Sequence, residues 1–238
     1  MLFLLTCLAC DNSPEASSFP LCPECRESLK AAPPLCARCG SPICPSSRCL
    51  RPWITLVPLK SLSAAYLLIG PSYRVLRRWK ISASPAFDRH VLRKARTQHD
   101  IDVIVPVPQS LRRSWALRHS PARKIAHWLS RDTGVPLRTY LEPLKGGPQA
   151  ELSQSERLSR KRKIGLTPVG KREIAGKRVL LVDDFVTTGS TLKSCAGALL
   201  AAGALEVHAY CLGLRPGNVA EEAEASRTGS ASSIQESA

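Results

Sequence analysis

Apolar and polar positions change period several times along this chain, and each change marks an element. Ile101 to Val107 (IDVIVPV) is β-branched and apolar toward both faces, the signature of a strand covered on both sides in a parallel sheet, and Pro106 and Pro108 end it. Val179 to Val182 (VLLV) predicts a second interior strand, Leu205 to Leu214 a third, and Ala64 to Ile69 a shorter one stopped by Gly70-Pro71. Helical periods separate them. One helix begins near Ser72 and carries Tyr73, Leu76 and Trp79 amid Arg74, Arg77, Arg78 and Lys80. Another starts at Ser84-Pro85, serine as N-cap and proline in the first turn, with Phe87, Val91 and Ala95 inward. Ser120-Pro121 opens a third, with Ala122, Ile125, Ala126 and Leu129 at i, i+3, i+4, i+7. Thr191 to Ala202 forms a fourth, with Leu192, Cys195, Ala196 and Leu199 inward and Gly203 as its stop. Strands alternating with helices predict an α/β domain built on a parallel sheet, over residues 53–216. Trp53 to Leu59, with Pro52 and Pro58 near its ends, reads as a linker or edge strand. Residues 217–238 are rich in Ser, Ala and Glu and read as a disordered tail.

Composition narrows the function. The 238 residues carry a net charge of +15, and the stretch 74–131 holds fourteen Lys/Arg against three Asp/Glu. Such a cationic middle expects a polyanion or a phosphorylated ligand. With 44% apolar residues the chain has the material for a core, and no apolar run approaches the ~18–20 residues that span a bilayer. Met1 to Leu5 is apolar but short and has no basic segment before it, so the reading is a cytoplasmic protein with reduced thiols.

Eight of the ten cysteines fall within the first 49 residues, in pairs: Cys7 and Cys10, Cys22 and Cys25, Cys36 and Cys39, Cys44 and Cys49. A Cys-x-x-Cys knuckle turns two thiolates to one side, and two knuckles complete a tetrahedron around zinc. Phe3, Leu21, Leu29, Leu35, Ile43 and Leu50 are too sparse to hold this segment alone, and metal binding supplies folding free energy. Residues 1–52 are therefore expected to be a zinc module with one or two structural Zn²⁺. A single zinc with four bystander thiols, a disulfide framework and a redox pair are the other readings. Cys195 and Cys211 lie in apolar segments and read as small core residues. His90, His99, His119, His127 and His208 lack ligand spacing.

The chemistry gathers in Val179 to Leu192, VLLVDDFVTTGSTL. An interior strand brings Asp183 and Asp184 to the carboxyl end of the sheet, where open α/β sheets bind ligands. Thr187, Thr188, Gly189, Ser190 and Thr191 follow, then a helix. Glycine permits the close turn, four hydroxyls donate, and the helix N-terminus adds N–H groups and its dipole, a cradle for a phosphate dianion. Paired carboxylates suit the neutral hydroxyls of a sugar. The alternatives are a solvated strand end for the acids and solvated helix faces for the arginines.

Two acids followed by T-T-G-S-T closely resemble the phosphoribosyl-pyrophosphate loop of type I phosphoribosyltransferases. Together with the cysteine pairs, residues 7–215 resemble the ComF family of natural competence. That resemblance implies a type I phosphoribosyltransferase-like parallel sheet with helices on both faces, preceded by a small zinc-ribbon-like module. It implies that Asp183 and Asp184 hold the ribose hydroxyls and Thr187 to Thr191 the 5′-phosphate. Lys80 matches a family basic residue, Val105-Pro106-Val107-Pro108 the family V-P-V-P turn on the pyrophosphate side, and Arg112 and Arg113 the arginines after it. Gln149, Leu152, Ser153 and Arg157 resemble a flexible loop over the site. Where the family continues R-G-F-N-Q, this chain has Arg118-His119-Ser120-Pro121-Ala122, and the family's asparagine after the flexible-loop arginine is missing. The implied partners are phosphoribosyl pyrophosphate or a related sugar phosphate, single-stranded DNA and the DNA-uptake machinery. Three functions follow: a sugar-phosphate-binding protein of single-stranded DNA handling, a working transferase using Mg²⁺, and a nucleic-acid adaptor with a vestigial pocket.

Overall fold

The structure is a computed structural model that describes residues 6–12, 20–35, 58–96, 100–109, 120–144 and 164–215. In chain order the elements are α1 (Pro23–Ser28), β1 (Ser61–Leu67), α2 (Gly70–Ile81), α3 (Pro85–Leu92), β2 (Val103–Pro106), α4 (Pro121–Thr133), β3 (Leu141–Pro143), β4 (Ile164–Leu166), α5 (Pro168–Glu173), β5 (Arg178–Val186), α6 (Ser190–Ala201) and β6 (Glu206–Leu214). β1, β6, β5 and β2 lie side by side in that order, all parallel. β3 and β4 form a separate antiparallel pair.

Side chains that alternate along a strand feed two cores, one on each face of the sheet. Leu180 and Val182 of β5, with Tyr210 and Leu212 of β6, pack with Val75, Leu76 and Trp79 of α2, Phe87 and Val91 of α3, and Ile125 and Leu129 of α4. Val179 and Leu181, with Val207, Ala209 and Cys211, face Leu192, Cys195, Ala196 and Leu199 of α6. The expected helices-on-both-faces architecture is therefore present, and Cys195 and Cys211 are fully buried core residues as read. The first core does not stop at the sheet domain. Cys7, Ala9, Leu21, Cys22, Cys25 and Leu29 belong to it, and Ala32 N–H donates to the Ala65 carbonyl (2.8 Å), tying the cysteine segment to β1.

Expected boundaries move where tertiary pairing decides them. β5 runs on to Val186, so Asp183 and Asp184 lie within the paired strand, because β6 continues beside it with Asp183 opposite Cys211 and Phe185 opposite Gly213. At Gly213 the packing is close, since a Cβ there would meet Leu68 Cδ2 at 2.5 Å and Phe185 Cδ1 at 3.1 Å and would displace the Leu68 side chain. α2 starts at Gly70 (φ +45°) rather than near Ser72, and Ser72 pins its first turn. The Ser72 hydroxyl sits 2.7 and 2.6 Å from the Leu67 and Ile69 carbonyl oxygens and accepts from Ile69 N–H at 3.3 Å. Ser84 and Ser120 cap α3 and α4 as expected. Ala95 is buried although α3 ends at Leu92. The β3–β4 pair and α5 were not legible. Most of the linker (53–57 of 53–59) and the tail (217–238) lie outside the described residues.

Ser72→Ala removes a buried hydroxyl whose single proton serves the Leu67 and Ile69 carbonyls and whose oxygen accepts from Ile69 N–H at the entry to α2. The expected cost is about 1–2 kcal/mol, read as a lower urea midpoint with unchanged slope. An unaltered midpoint would show that α2 does not depend on this anchor.

Candidate functional site

β5 delivers the two acids side by side at its carboxyl end. The Asp183 carboxylate accepts from Asp184 N–H (2.8 Å), and the Asp184 carboxylate accepts from Phe185 N–H (2.6 Å). Lys80, one residue before the end of α2, places its Nζ 2.6 Å from Asp184 Oδ2, both side chains mostly buried at 21% and 15% exposure. The same Nζ lies 4.9 Å from the centre of the Phe185 ring, a cation–π contact that holds it over the strand. Burial first, and the neighbouring Asp184 second, push the Asp183 carboxyl from 3.8 up to about 7.

Beyond Val186 the chain turns at Gly189, whose φ of +72° makes it the left-handed N-cap of α6 without a capping side chain. Thr187, Thr188 and Ser190 are exposed and Thr191 half-buried. Thr188 and Ser190 share a hydrogen bond of 3.2 Å between hydroxyls. Paired carboxylates, a cation, a hydroxyl-lined turn and a helix N-terminus thus fall within one stretch, Asp183 to Thr191, plus α2. Val107 is buried beside it, its N–H donating to the Val182 carbonyl (2.8 Å), and Pro108 is half-buried, so the V-P-V-P turn adjoins Asp183. Arg112, Arg113, Arg118 and Arg157 lie outside the described residues. Where the family carries asparagine and glutamine, Pro121 and Ala122 are packed into the first turn of α4 and Ser120 caps it, accepting from Arg123 N–H. A cleft of about 410 Å³ lined by Asp102, Val103, Pro136, Arg138, Tyr140, Glu173 and Lys177 opens at the amino ends of β2 and β5, away from these residues.

The second cluster is the cysteine set. The sulfurs of Cys7, Cys10, Cys22 and Cys25 all lie within 4.8 Å of one another and could hold a metal ion. Cys10 and Cys22 Sγ are 3.7 Å apart, and Cys22 N–H points at Cys7 Sγ (3.3 Å). Burial raises the Cys7 thiol, but N–H groups of Cys22, Ala9 and Cys10 outweigh it and bring it down to about 7. Burial, followed by the sulfurs around it, pushes Cys25 up. Among the described residues these four cysteines, like Cys195 and Cys211, form no disulfide. Cys36, Cys39, Cys44 and Cys49 lie outside the described residues.

Comparison with known proteins agrees with this layout. Residues 119–231 match the phosphoribosyl transferase domain family. The chain is 28% identical over 223 residues to the DNA utilization protein YhgH of Salmonella typhimurium, covering 87% of this chain and 95% of that one. It is 27% identical over 231 residues to competence protein F of Haemophilus influenzae, covering 88% and 97%. The chain is a homologue of both. The ComF resemblance read from the acid pair and the cysteines is thus matched over nearly the whole length. Among solved structures, the chain is similar to the glutamine phosphoribosylpyrophosphate amidotransferase of B. subtilis (26% identity, TM-score 0.38), covering 52% of this chain and 26% of that longer one. It is also similar to a purine phosphoribosyltransferase of Pyrococcus horikoshii (22% identity, TM-score 0.34), covering 54% and 71%.

Phe185 is the site residue that sequence reasoning missed. It stands between the acids and the threonines, but no spacing announces that its ring would carry Lys80. The acid pair also has a pH signature. Because Asp183 holds its proton more tightly folded than unfolded, its contribution to stability is complete below about pH 4 and is lost as pH rises to about 7. Asp183→Asn is expected to flatten the fall in urea midpoint across that window. Parallel profiles for variant and wild type would contradict the assignment.

Proposed function

We propose that this protein binds phosphoribosyl pyrophosphate or a closely related sugar phosphate at the β5–α6 turn and acts in the handling of single-stranded DNA. The observation that carries the reading is the adjacency of Asp183 and Asp184 to the Thr187–Thr191 turn at the start of α6. A phosphate set against the two acids would be repelled, so it belongs in the hydroxyl-lined turn, where N–H groups and the helix dipole favour an anion. The acids then face the sugar, as acceptors for vicinal hydroxyls. Lys80 and the Val107-Pro108 turn stand on the pyrophosphate side. The DNA role is supported by the names of the homologues, a DNA utilization protein and a competence protein, and by the net charge of +15.

Calorimetric titration with phosphoribosyl pyrophosphate tests the site. Asp183→Asn with Asp184→Asn is expected to weaken binding at least tenfold, since each lost charge-assisted hydrogen bond is worth about 1.5–3 kcal/mol. Unchanged affinity would place the ligand elsewhere. The phosphoribosyl transferase domain match supports a second reading, an active transferase, in which Mg²⁺ would supply charge neutralisation on the leaving pyrophosphate. Pyrophosphate release with a panel of bases and amines distinguishes the two.

For the cysteine cluster the proposed metal is zinc. Four thiolates at ~2.3 Å from a tetrahedral zinc stand ~3.8 Å apart, and the Cys10–Cys22 separation of 3.7 Å matches that edge. Cys25→Ser is expected to lower zinc content by one ion per chain and to reduce the thermal midpoint. Equal zinc in variant and wild type would remove this cluster as the site.

A further inference from the structure

α2 is the element that touches both clusters. Arg78 forms an ion pair with Asp11, in the turn just past Cys10, while Lys80 reaches Asp184. Steps of about 100° per residue put Tyr73, Arg74, Arg77 and Ile81 on the arc between those two side chains. Ser72, Val75, Leu76 and Trp79 are buried on the opposite side. The outward arc is open: Tyr73 is 47% and Ile81 59% exposed, and Arg74 and Arg77 are exposed too.

Its charge is not balanced from within the helix. The twelve residues of α2 contain Arg74, Arg77, Arg78 and Lys80 and no acidic residue. A solvated helix face ordinarily interleaves acids at i+3 or i+4. Among the described residues, Arg74 and Arg77 take part in no ion pair. The positive field continues toward the cysteine segment, where Arg93, Arg26 and Lys94, after burial, hold His90 below its ordinary 6.5. An exposed tyrosine flanked by arginines joins a stacking surface to phosphate partners, the combination that single strands use. A duplex would hide its base faces from Tyr73.

We propose, resting on the DNA-handling reading above, that the outer face of α2, flanked by the cysteine segment on one side and the carboxylate turn on the other, is a docking strip for single-stranded DNA. Tyr73 stacks on a base, and Arg74 and Arg77 neutralise flanking phosphates. The strip follows the helix, which is roughly 18 Å long.

Fluorescence anisotropy with a labelled thymidine oligonucleotide of about ten residues, within the usual site sizes, tests the strip across a salt series. Tyr73→Ala is expected to weaken binding roughly 5- to 150-fold, the loss of one stacked base, without changing the salt slope. Arg74→Gln with Arg77→Gln should reduce the slope of log affinity against log salt by about 1.4, at ~0.7 per phosphate. The charge-matched control Lys171→Gln with Arg172→Gln, on the exposed side of α5, should leave the slope unaltered. Thermal unfolding reports whether each variant is folded. If wild type binds and the α2 variants match it, or the α5 control loses as much as the arginine pair, the strip is overturned while the DNA-handling reading stands. If wild type shows no salt-dependent binding, both fall.

Discussion

Two carboxylates on consecutive residues of one interior strand repel each other, and a cation and a retained proton hold them there. Lys80 comes across from α2 to within 2.6 Å of Asp184, while burial and that same neighbour lift Asp183 to about 7. One acid is thus answered by an ion pair and the other stands near its midpoint at neutral pH. Such a pair favours a ligand that brings hydroxyl donors and keeps its own negative charge at a distance. The hydroxyl-bearing turn ahead of α6 provides that distance. In the proposed reading, electrostatics alone therefore orients a sugar phosphate, hydroxyls to the strand and phosphate to the helix.

The placement of Lys80 depends on α2, and α2 depends on more than the sheet. Trp79 is fully buried, its indole N–H donating to Asp88 (2.9 Å), and Lys124 from α4 pairs with the same carboxylate and lies over the same ring. On the other side, Leu21, Cys25 and Leu29 share its hydrophobic core. Whatever keeps the four sulfurs together also supports one wall of the helix that carries Lys80. The cysteine segment is packed into the body of the protein at α2 and β1.

Much of this was legible in sequence because local physics decides it. Ser84-Pro85 and Ser120-Pro121 announced helix starts with a cap and a preset φ, and IDVIVPV announced a strand buried on both sides. The acid pair and the T-T-G-S-T turn were visible as a unit because they are contiguous. Other features were hidden because distant residues make them. β5 extends through Asp183 and Asp184 only because β6 runs beside it, and α2 begins at Gly70 because Ser72 ties back to Leu67 and Ile69. The three-residue strands Leu141–Pro143 and Ile164–Leu166 are too short for any period to mark. The Lys80–Asp184–Phe185 contact joins segments that no spacing rule relates.

The most direct test of the central claim compares ribose 5-phosphate with 2-deoxyribose 5-phosphate by calorimetry on the wild-type protein. Acids that grip the sugar should bind the ribose form more tightly, and Asp184→Asn should erase the difference. Equal affinity for the two sugars in the wild-type protein would contradict the account.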